Sequence, residues 1–134
     1  MKQKINVSVV CATHKGSKKL VNLILSIYNN KIWPKEIVVC GTSNRDLKYV
    51  NSKIKSLLNI KFYKSLKKSQ IYQRSFAIDK STADYILQID DDVTVDLNFF
   101  SNIKKYTKPK NKKNKLIVSA LILQGNKNLQ AGSW

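Results

Sequence analysis

The stretch of sequence that decides the fold runs from residue 69 to residue 93 and reads SQIYQRSFAIDKSTADYILQIDDDV. Its first half places apolar side chains at helical spacing after Ser69, a residue type that begins helices because its hydroxyl accepts a hydrogen bond from a free backbone N–H. Its second half contains an apolar run, residues 84–89, which is typical of a buried strand. Three aspartates follow that run directly. The stretch therefore predicts a helix, a buried strand and a carboxylate cluster in succession.

The carboxylates of this chain are concentrated at one point. The 134 residues include 25 Lys and Arg but only 8 Asp and Glu, which gives a net charge of +17. Four of those eight carboxylates lie within seven positions: Asp90, Asp91, Asp92 and Asp96. Neighbouring carboxylates repel one another, and a hard divalent cation such as Mg²⁺ or Mn²⁺ relieves that repulsion. We expect Asp90 and Asp92 to hold such a cation; the alternative is an acidic turn in which Asp96 caps the next helix.

Strand-like and helix-like segments alternate along the rest of the chain. The pattern predicts strands over 4–11, 36–40, 60–63, 84–89 and 116–123, with helices over 18–30, 46–58, 69–81 and 97–106. The Trp33-Pro34 pair ends the first helix, and residues 124–134 form a loop or an incomplete hairpin. This order favours an α/β fold, namely a Rossmann-like, mostly parallel sheet with helices on both faces in three α/β/α layers.

Polar loops follow the predicted strands at the edge where ligands of parallel sheets bind, outside the carboxyl ends of the strands. The loops read ATHKGS after the first strand, GTSNRD after the second and KSLKKSQ after the third. Together with the aspartates they are predicted to line one crevice. Arg74, one of two arginines in the chain, is placed to neutralise a diphosphate there. The alternatives are a surface position for Arg74 and a solvent-exposed loop position for His14.

The charge does not indicate a nucleic-acid partner. Of the 25 basic residues 23 are lysines, and they are scattered, whereas proteins that bind bases and phosphates rely on the planar fork of arginine. We expect instead a peripheral attraction to anionic membrane.

The two cysteines, Cys11 and Cys40, are too few for a disulfide scaffold, which favours a reduced, cytoplasmic protein. We expect both to be buried at the ends of adjacent strands. No apolar run approaches the ~20 residues of a membrane span, and the N-terminus lacks the pattern of a signal peptide.

These motifs together resemble the nucleotide-binding half of family 2 glycosyltransferases of the GT-A fold. Residues 7–39, VSVVCATHKGSKKLVNLILSIYNNKIWPKEIVV, look like the opening strand, loop, helix and second strand of that family. Residues 69–93 look like its Arg-bearing helix and the Asp-x-Asp motif that ends the next strand. The resemblance covers nearly the whole chain.

The resemblance implies a site for the nucleotide-sugar donor. Carried over by position, Thr13 and His14 would line the pocket of the base, and Arg74 would help to form its floor. Asp90 would contact the ribose or a metal-bound water. Asp92 would coordinate the Mn²⁺ or Mg²⁺ ion that bridges the donor diphosphate.

The loop after the second strand departs from the family pattern. The family usually has a pair of aspartates there, whereas this chain has Cys40 and Gly41 followed by Thr42, with Asp46 as the nearby carboxylate. By their positions in the resemblance, Gly41, Thr42 and Asp46 would still contact the nucleotide. Asp91, in the carboxylate cluster, would contact it too.

The resemblance implies an enzyme of the hexosyltransferase class that transfers a sugar from a nucleotide-diphosphate sugar to a sugar or lipid-linked acceptor, as in bacterial surface polysaccharide or glycolipid synthesis. Family members continue into an acceptor-binding half that supplies the general base, and no acidic residue follows Asp96 here. We therefore expect residues 1–134 to be a single donor-binding domain that lacks the acceptor half and that base. Two alternatives stay open: a nucleotidyltransferase, although the first loop has only one glycine, and a non-catalytic nucleotide-binding module.

Overall fold

A computed structural model of the chain describes residues 2–107 and the strand segments 116–118, 123–124 and 127–128. Five strands form one sheet in the order β3-β2-β1-β4-β5, and every neighbouring pair is parallel. The strands are β1 (Lys4–Ala12), β2 (Trp33–Gly41), β3 (Ile60–Lys64), β4 (Tyr85–Gln88) and β5 (Leu116–Val118). The helices are α1 (Ser17–Tyr28), α2 (Ser52–Leu57), α3 (Gln70–Lys80) and α4 (Phe99–Lys104). A separate antiparallel pair consists of β6 (Leu123–Gln124) and β7 (Lys127–Asn128).

The sheet separates two apolar cores, because successive side chains of a strand point to opposite faces. The larger core contains Val9 of β1, four residues of α1 and Phe100 of α4. The smaller core contains Val10 of β1 and Ala77 of α3. Helices therefore cover both faces, which confirms the predicted three-layer α/β/α fold.

The second strand begins three residues earlier than predicted, at Trp33. Its first residues pair only with β1, because pairing with β3 begins at Ile37. Pro34 is therefore accommodated where one side of the strand has no neighbour, which is the usual place for a residue that lacks a backbone N–H. The Trp33-Pro34 pair does follow the end of α1, as predicted, but it belongs to the strand.

The predicted helix over 46–58 was too long, since α2 spans only six residues, Ser52–Leu57. The side chain of Asp46 accepts hydrogen bonds from the backbone N–H groups of Thr42 and Ser43. The side chain of Asn51 accepts one from Lys53 N, which caps α2. Short polar side chains that bond to nearby backbone in this way favour turns over helix interiors.

The last helix also differs from its prediction over 97–106. It begins after Asn98, which occupies the capping position, while the carboxylate of Asp96 accepts a hydrogen bond from Asn98 N at 2.6 Å. Asp96 therefore forms a turn before the helix and is not its cap. Of the predicted strand 116–123, the structure describes 116–118 as β5, and residues 119–122 lie outside the described residues.

A buried carboxylate, Glu36, ties three strands together near the amino ends of β3 and β4. It is 0% exposed, and its two oxygens accept hydrogen bonds from Ser8 Oγ, Lys61 Nζ and both the N–H and the hydroxyl of Thr82. Burial alone raises the pKa of Glu36, but the bonds from Lys61, Ser8 and Thr82 outweigh it and lower the pKa to about 2. Glu36 is therefore a structural anion at the edge opposite the predicted crevice.

The two cysteines lie on adjacent strands, as predicted, and both are free and fully buried. They face opposite sides of the sheet, since Cys11 belongs to the larger core and Cys40 to the smaller one. Burial raises the pKa of both thiols. In the part of the chain that the structure describes, no helix has the length and hydropathy that crossing a membrane requires.

Both thiols are expected to resist alkylation in the native protein, because the reactive thiolate is disfavoured and no reagent reaches it without opening of the fold. Mass spectrometry after a short iodoacetamide pulse should find both unmodified under native conditions and both modified in denaturant. Rapid native labelling of either thiol would contradict its burial.

Candidate functional site

The candidate site lies at the point where the order of the strands reverses. The chain leaves β1 towards β2 on one side of the sheet, while β4 lies on the other side of β1 and leads towards β5. In open α/β sheets the crevice at such a reversal, outside the carboxyl ends of the strands, is where ligands bind. Thr13 follows β1 and the aspartates 90–92 follow β4, so both segments meet at this crevice.

The three adjacent aspartates have three different environments. Asp91 is buried, and it accepts a 2.7 Å hydrogen bond from the hydroxyl of Thr13. Burial raises the pKa of Asp91, and the Thr13 hydrogen bond opposes that rise. Asp90 is partly exposed, whereas Asp92 is exposed to solvent. Asp91 thus joins the two sides of the crevice from within, while Asp90 and Asp92 are available to a ligand.

Arg74 comes from α3 and reaches the same strand end. Its Nη2 atom lies 2.6 Å from Oδ1 of Asp90. In the amide orientation that satisfies both groups, Gln88 accepts hydrogen bonds from Nε and Nη1 of Arg74, at 2.7 and 3.1 Å. These contacts fix the guanidinium beside the carboxylates, although the role predicted for it in donor binding stays a prediction.

The loops after β1 and β2 are connected by the predicted donor-binding residues. Nδ1 of His14 and Oγ1 of Thr42 are 2.8 Å apart. Asp46 is buried, and its Oδ2 accepts from the backbone of Thr42 and Ser43 at 3.0 and 3.1 Å. Gly41 is required beneath this carboxylate, because a Cβ there would overlap Asp46. The geometry therefore gives Asp46 the task of shaping the loop, and contact of Asp46 with a nucleotide stays a prediction.

Three residues of this region were given no role from the sequence. Gln73 is fully buried, and its Nε2 donates to the backbone oxygens of Thr13 and Cys40 at 2.8 and 2.9 Å. Its Oε1 is buried without a hydrogen-bond partner among the described residues. Gln88 accepts from Arg74, and Gly16 leaves room for the pair of Thr13 and Asp91. The signal for Gln73 and Gln88 is a polar residue within an otherwise apolar face or strand.

Of the carboxylates that the structure describes, only two, Asp90 and Asp92, are candidates to bind a divalent cation at this site. Among the described residues, no three His, Cys, Asp or Glu side chains stand close enough together to form a complete metal cage. Mg²⁺, however, is commonly held by one or two carboxylates, with substrate phosphates and water completing its shell. The exposed Asp92 and the partly exposed Asp90 fit a site of that kind, in which the ion and the nucleotide bind together.

No protein-family model matches the chain, and no curated protein matches it. Solved structures of a glycosyltransferase, S. aureus TarS, do resemble it. The crystal structure of TarS superposes with a TM-score of 0.66 at 21% identity, covering 79% of this chain and 19% of TarS.

Two structures of TarS residues 1–349 were solved with ligands. The complex with UDP-GlcNAc gives a TM-score of 0.64 at 22% identity, covering 79% of this chain and 31% of the other. The complex with UDP gives a TM-score of 0.66 at 21% identity, covering 79% of this chain and 32% of the other. The present chain thus spans no more than about a third of these neighbours, and at such identity the likeness shows that it shares their Rossmann-like fold.

Proposed function

We propose that the chain is the donor-binding part of a glycosyltransferase that uses a nucleotide-diphosphate sugar. The observation that carries this proposal is the pair of solvent-accessible carboxylates, Asp90 and Asp92, beside Arg74 at the reversal point of the sheet. The chain has a net charge of +17, yet these two carboxylates carry negative charge and would repel a diphosphate. A cation between them and the diphosphate removes that repulsion. The TarS complexes with UDP-GlcNAc and UDP support a donor of the same chemical class.

Each residue has a proposed task in donor binding. Asp92, with Asp90, would hold Mn²⁺ or Mg²⁺, which when bound neutralises the charge of the leaving diphosphate. Arg74 orients Asp90 and adds positive charge at the floor of the crevice. His14 would line the side of the base, and Thr13, which is fully buried and donates its hydroxyl to Asp91, would support that side from within.

The described carboxylates of the crevice offer no obvious general base. A base must come within about 3 Å of the acceptor hydroxyl in the productive complex. Asp91 is engaged by Thr13 and Asp46 by the backbone of its own loop, while Asp90 and Asp92 are assigned to cation and donor. We infer that these residues bind the donor and, without an added base, hydrolyse it slowly at most.

The finer features of the proposal come from the resemblance to family 2. They are transfer of a hexose to a sugar or lipid-linked acceptor, a place in bacterial surface polysaccharide or glycolipid synthesis, and a cytoplasmic location with peripheral contact to anionic membrane. A non-catalytic nucleotide-binding module is the second candidate, favoured by the engagement of Asp91 and Asp46 in internal contacts.

Calorimetric titration of the chain with UDP and GDP, with and without Mn²⁺, tests the donor site. We expect Mn²⁺ to strengthen binding of one of the two nucleotides at least about tenfold, because a cation between the carboxylates and the diphosphate should contribute at least as much as a hydrogen bond to a charged group, on the order of 1.5–3 kcal/mol. Asp92→Asn should remove that gain and leave the metal-free affinity unchanged. Asp79→Asn, an exposed aspartate of α3, is the matched control and should bind like the unaltered chain. Binding that needs no metal and is unaffected by Asp92→Asn would contradict the proposal.

A further inference from the structure

The two most exposed large apolar side chains of the described residues are five positions apart in the sequence. Leu66, in the loop between β3 and α3, is 92% exposed, and Ile71, in the first turn of α3, is 82% exposed. Neither packs against the two cores. Single exposed aliphatic residues are common, so what these two indicate depends on the shape and the charge of the segment that carries them.

The loop that presents Leu66 has a defined shape. The hydroxyl of the buried Ser65 donates to Lys67 O at 2.6 Å and accepts from Lys67 N at 3.1 Å. Ser65 N donates in turn to Gly41 O of β2 at 2.6 Å. Leu66 therefore sits at the tip of a tight turn anchored to the sheet, and its exposure is built into the fold.

The same segment of the chain is basic. Residues 64–72, here called the basic–apolar ridge, contain Lys64, Lys67 and Lys68, all exposed, and no carboxylate. Lys67 Nζ lies 5.5 Å from the ring centre of Tyr72, which holds one of the charges against the ridge. The ridge thus combines protruding aliphatic groups with a local charge of +3.

We propose that the basic–apolar ridge docks on the surface of an anionic lipid bilayer. Lysine ammonium groups bind anionic headgroups, and aliphatic side chains at the same level insert at the boundary with the acyl chains. A second copy of the chain fits the ridge poorly, because both copies carry a net charge of +17 and would bring lysines against lysines. The charge therefore selects lipid over self-association.

This inference deepens the proposed function and rests on it for the peripheral membrane contact, to which it assigns a surface. The ridge follows the carboxyl end of β3, so it lies at the same edge of the sheet as the candidate site. β3 is two strands away from β1, which is about 10 Å at the usual strand spacing. A chain docked through the ridge would hold the donor crevice close to the membrane plane, where a lipid-linked acceptor would be located.

Cosedimentation of the chain with vesicles, without nucleotide, tests the surface. We expect binding to vesicles of phosphatidylcholine and phosphatidylglycerol in equal parts and little binding to phosphatidylcholine alone. The double substitution Leu66→Ser with Ile71→Ser should weaken binding at least about tenfold, because it removes the inserted groups and keeps the charge. The matched control is Leu97→Ser with Tyr106→Ser, which alters two exposed apolar residues outside the ridge and should bind normally.

The charge of the ridge is tested separately. Replacing Lys64, Lys67 and Lys68 by Gln should weaken vesicle binding about a hundredfold, at roughly fivefold for each lysine near the surface. Replacing Lys4, Lys31 and Lys35, three exposed lysines at the amino ends of β1 and β2, removes the same charge elsewhere and should weaken it much less.

Equal losses from the two lysine sets, or unchanged binding after the Leu66 and Ile71 substitutions, would overturn the proposal. So would a dimer, detected by light scattering, that the same two substitutions dissociate, since the ridge would then bind another copy. UDP titration of each variant tests only the donor site. Failure of the chain to bind nucleotide while the vesicle results hold would therefore refute the proposed function and leave the docking surface in place.

Discussion

Glu36→Gln is expected to lower the free energy of unfolding by about 3 kcal/mol at pH 7. The carboxylate is fully buried and hydrogen-bonded to three side chains and one backbone N–H, and its pKa is lowered from 4.5 to about 2. Each unit of such a shift corresponds to about 1.4 kcal/mol of preference for the charged form in the folded state. The amide of Gln cannot receive all four donors, so buried N–H and O–H groups lose their acceptor.

The pH dependence of stability identifies the cause. Because the pKa of Glu36 is lower in the folded state, its contribution is complete above about pH 5 and is lost as the pH falls towards 2. The unaltered chain should therefore lose about 3 kcal/mol from this residue across that range. The Gln variant should lack that part of the acid dependence.

Urea unfolding at several pH values measures both effects. Asp79→Asn, which replaces an exposed carboxylate of α3, should change stability by less than about 0.5 kcal/mol. If Glu36→Gln were as stable as the unaltered chain at pH 7, the network around Glu36 would not stabilise the fold as argued.

Gly16→Ala is expected to damage both the fold and the candidate site. A Cβ at this position would overlap the carboxylate of Asp91 and the hydroxyl of Thr13, which are hydrogen-bonded to each other. Separating them costs packing energy of about 1–3 kcal/mol, and it leaves the buried Asp91 without its donor. Since Thr13 and Asp91 join the loops on either side of the crevice, nucleotide binding should weaken even where the chain stays folded.

Thermal unfolding and UDP titration of the folded variant measure the two effects. Lys18→Ala, at an exposed position in the first turn of α1, serves as the control and should behave like the unaltered chain. If Gly16→Ala changed neither the melting temperature nor the affinity for UDP, the Thr13–Asp91 contact would not be important for stability or for nucleotide binding.

The helix and the strand of residues 69–89 could be predicted because their signals lie in adjacent residues. The helix after Ser69 follows from its spacing of apolar residues and its cap, and the structure shows Ser69 Oγ accepting from Tyr72 N. The strand that precedes the aspartates follows from its apolar run. The helix expected from residue 46 failed for a physical reason: Asp46 bonds to backbone four residues earlier in the chain, which periodicity does not reveal.

The different environments of the aspartates were not predictable in the same way. The buried Asp91 is hydrogen-bonded to Thr13, which is 78 residues away in the sequence. Gln73 likewise acts on the backbone at positions 60 and 33 residues distant. Such contacts depend on which strands become neighbours in the sheet. The residues adjacent to each partner in the sequence therefore do not predict them.

The position of Glu36 has a consequence for how this scaffold can change. The bonds that anchor β2 to its neighbours lie near the amino ends of β3 and β4, whereas the loops that surround the crevice lie at the carboxyl ends. Substitutions that alter ligand preference in those loops therefore leave the anchor intact. A laboratory evolution experiment could diversify the loops at residues 42–45 freely while holding Ser8, Glu36, Lys61 and Thr82 constant, and we expect such a library to retain a high proportion of folded members.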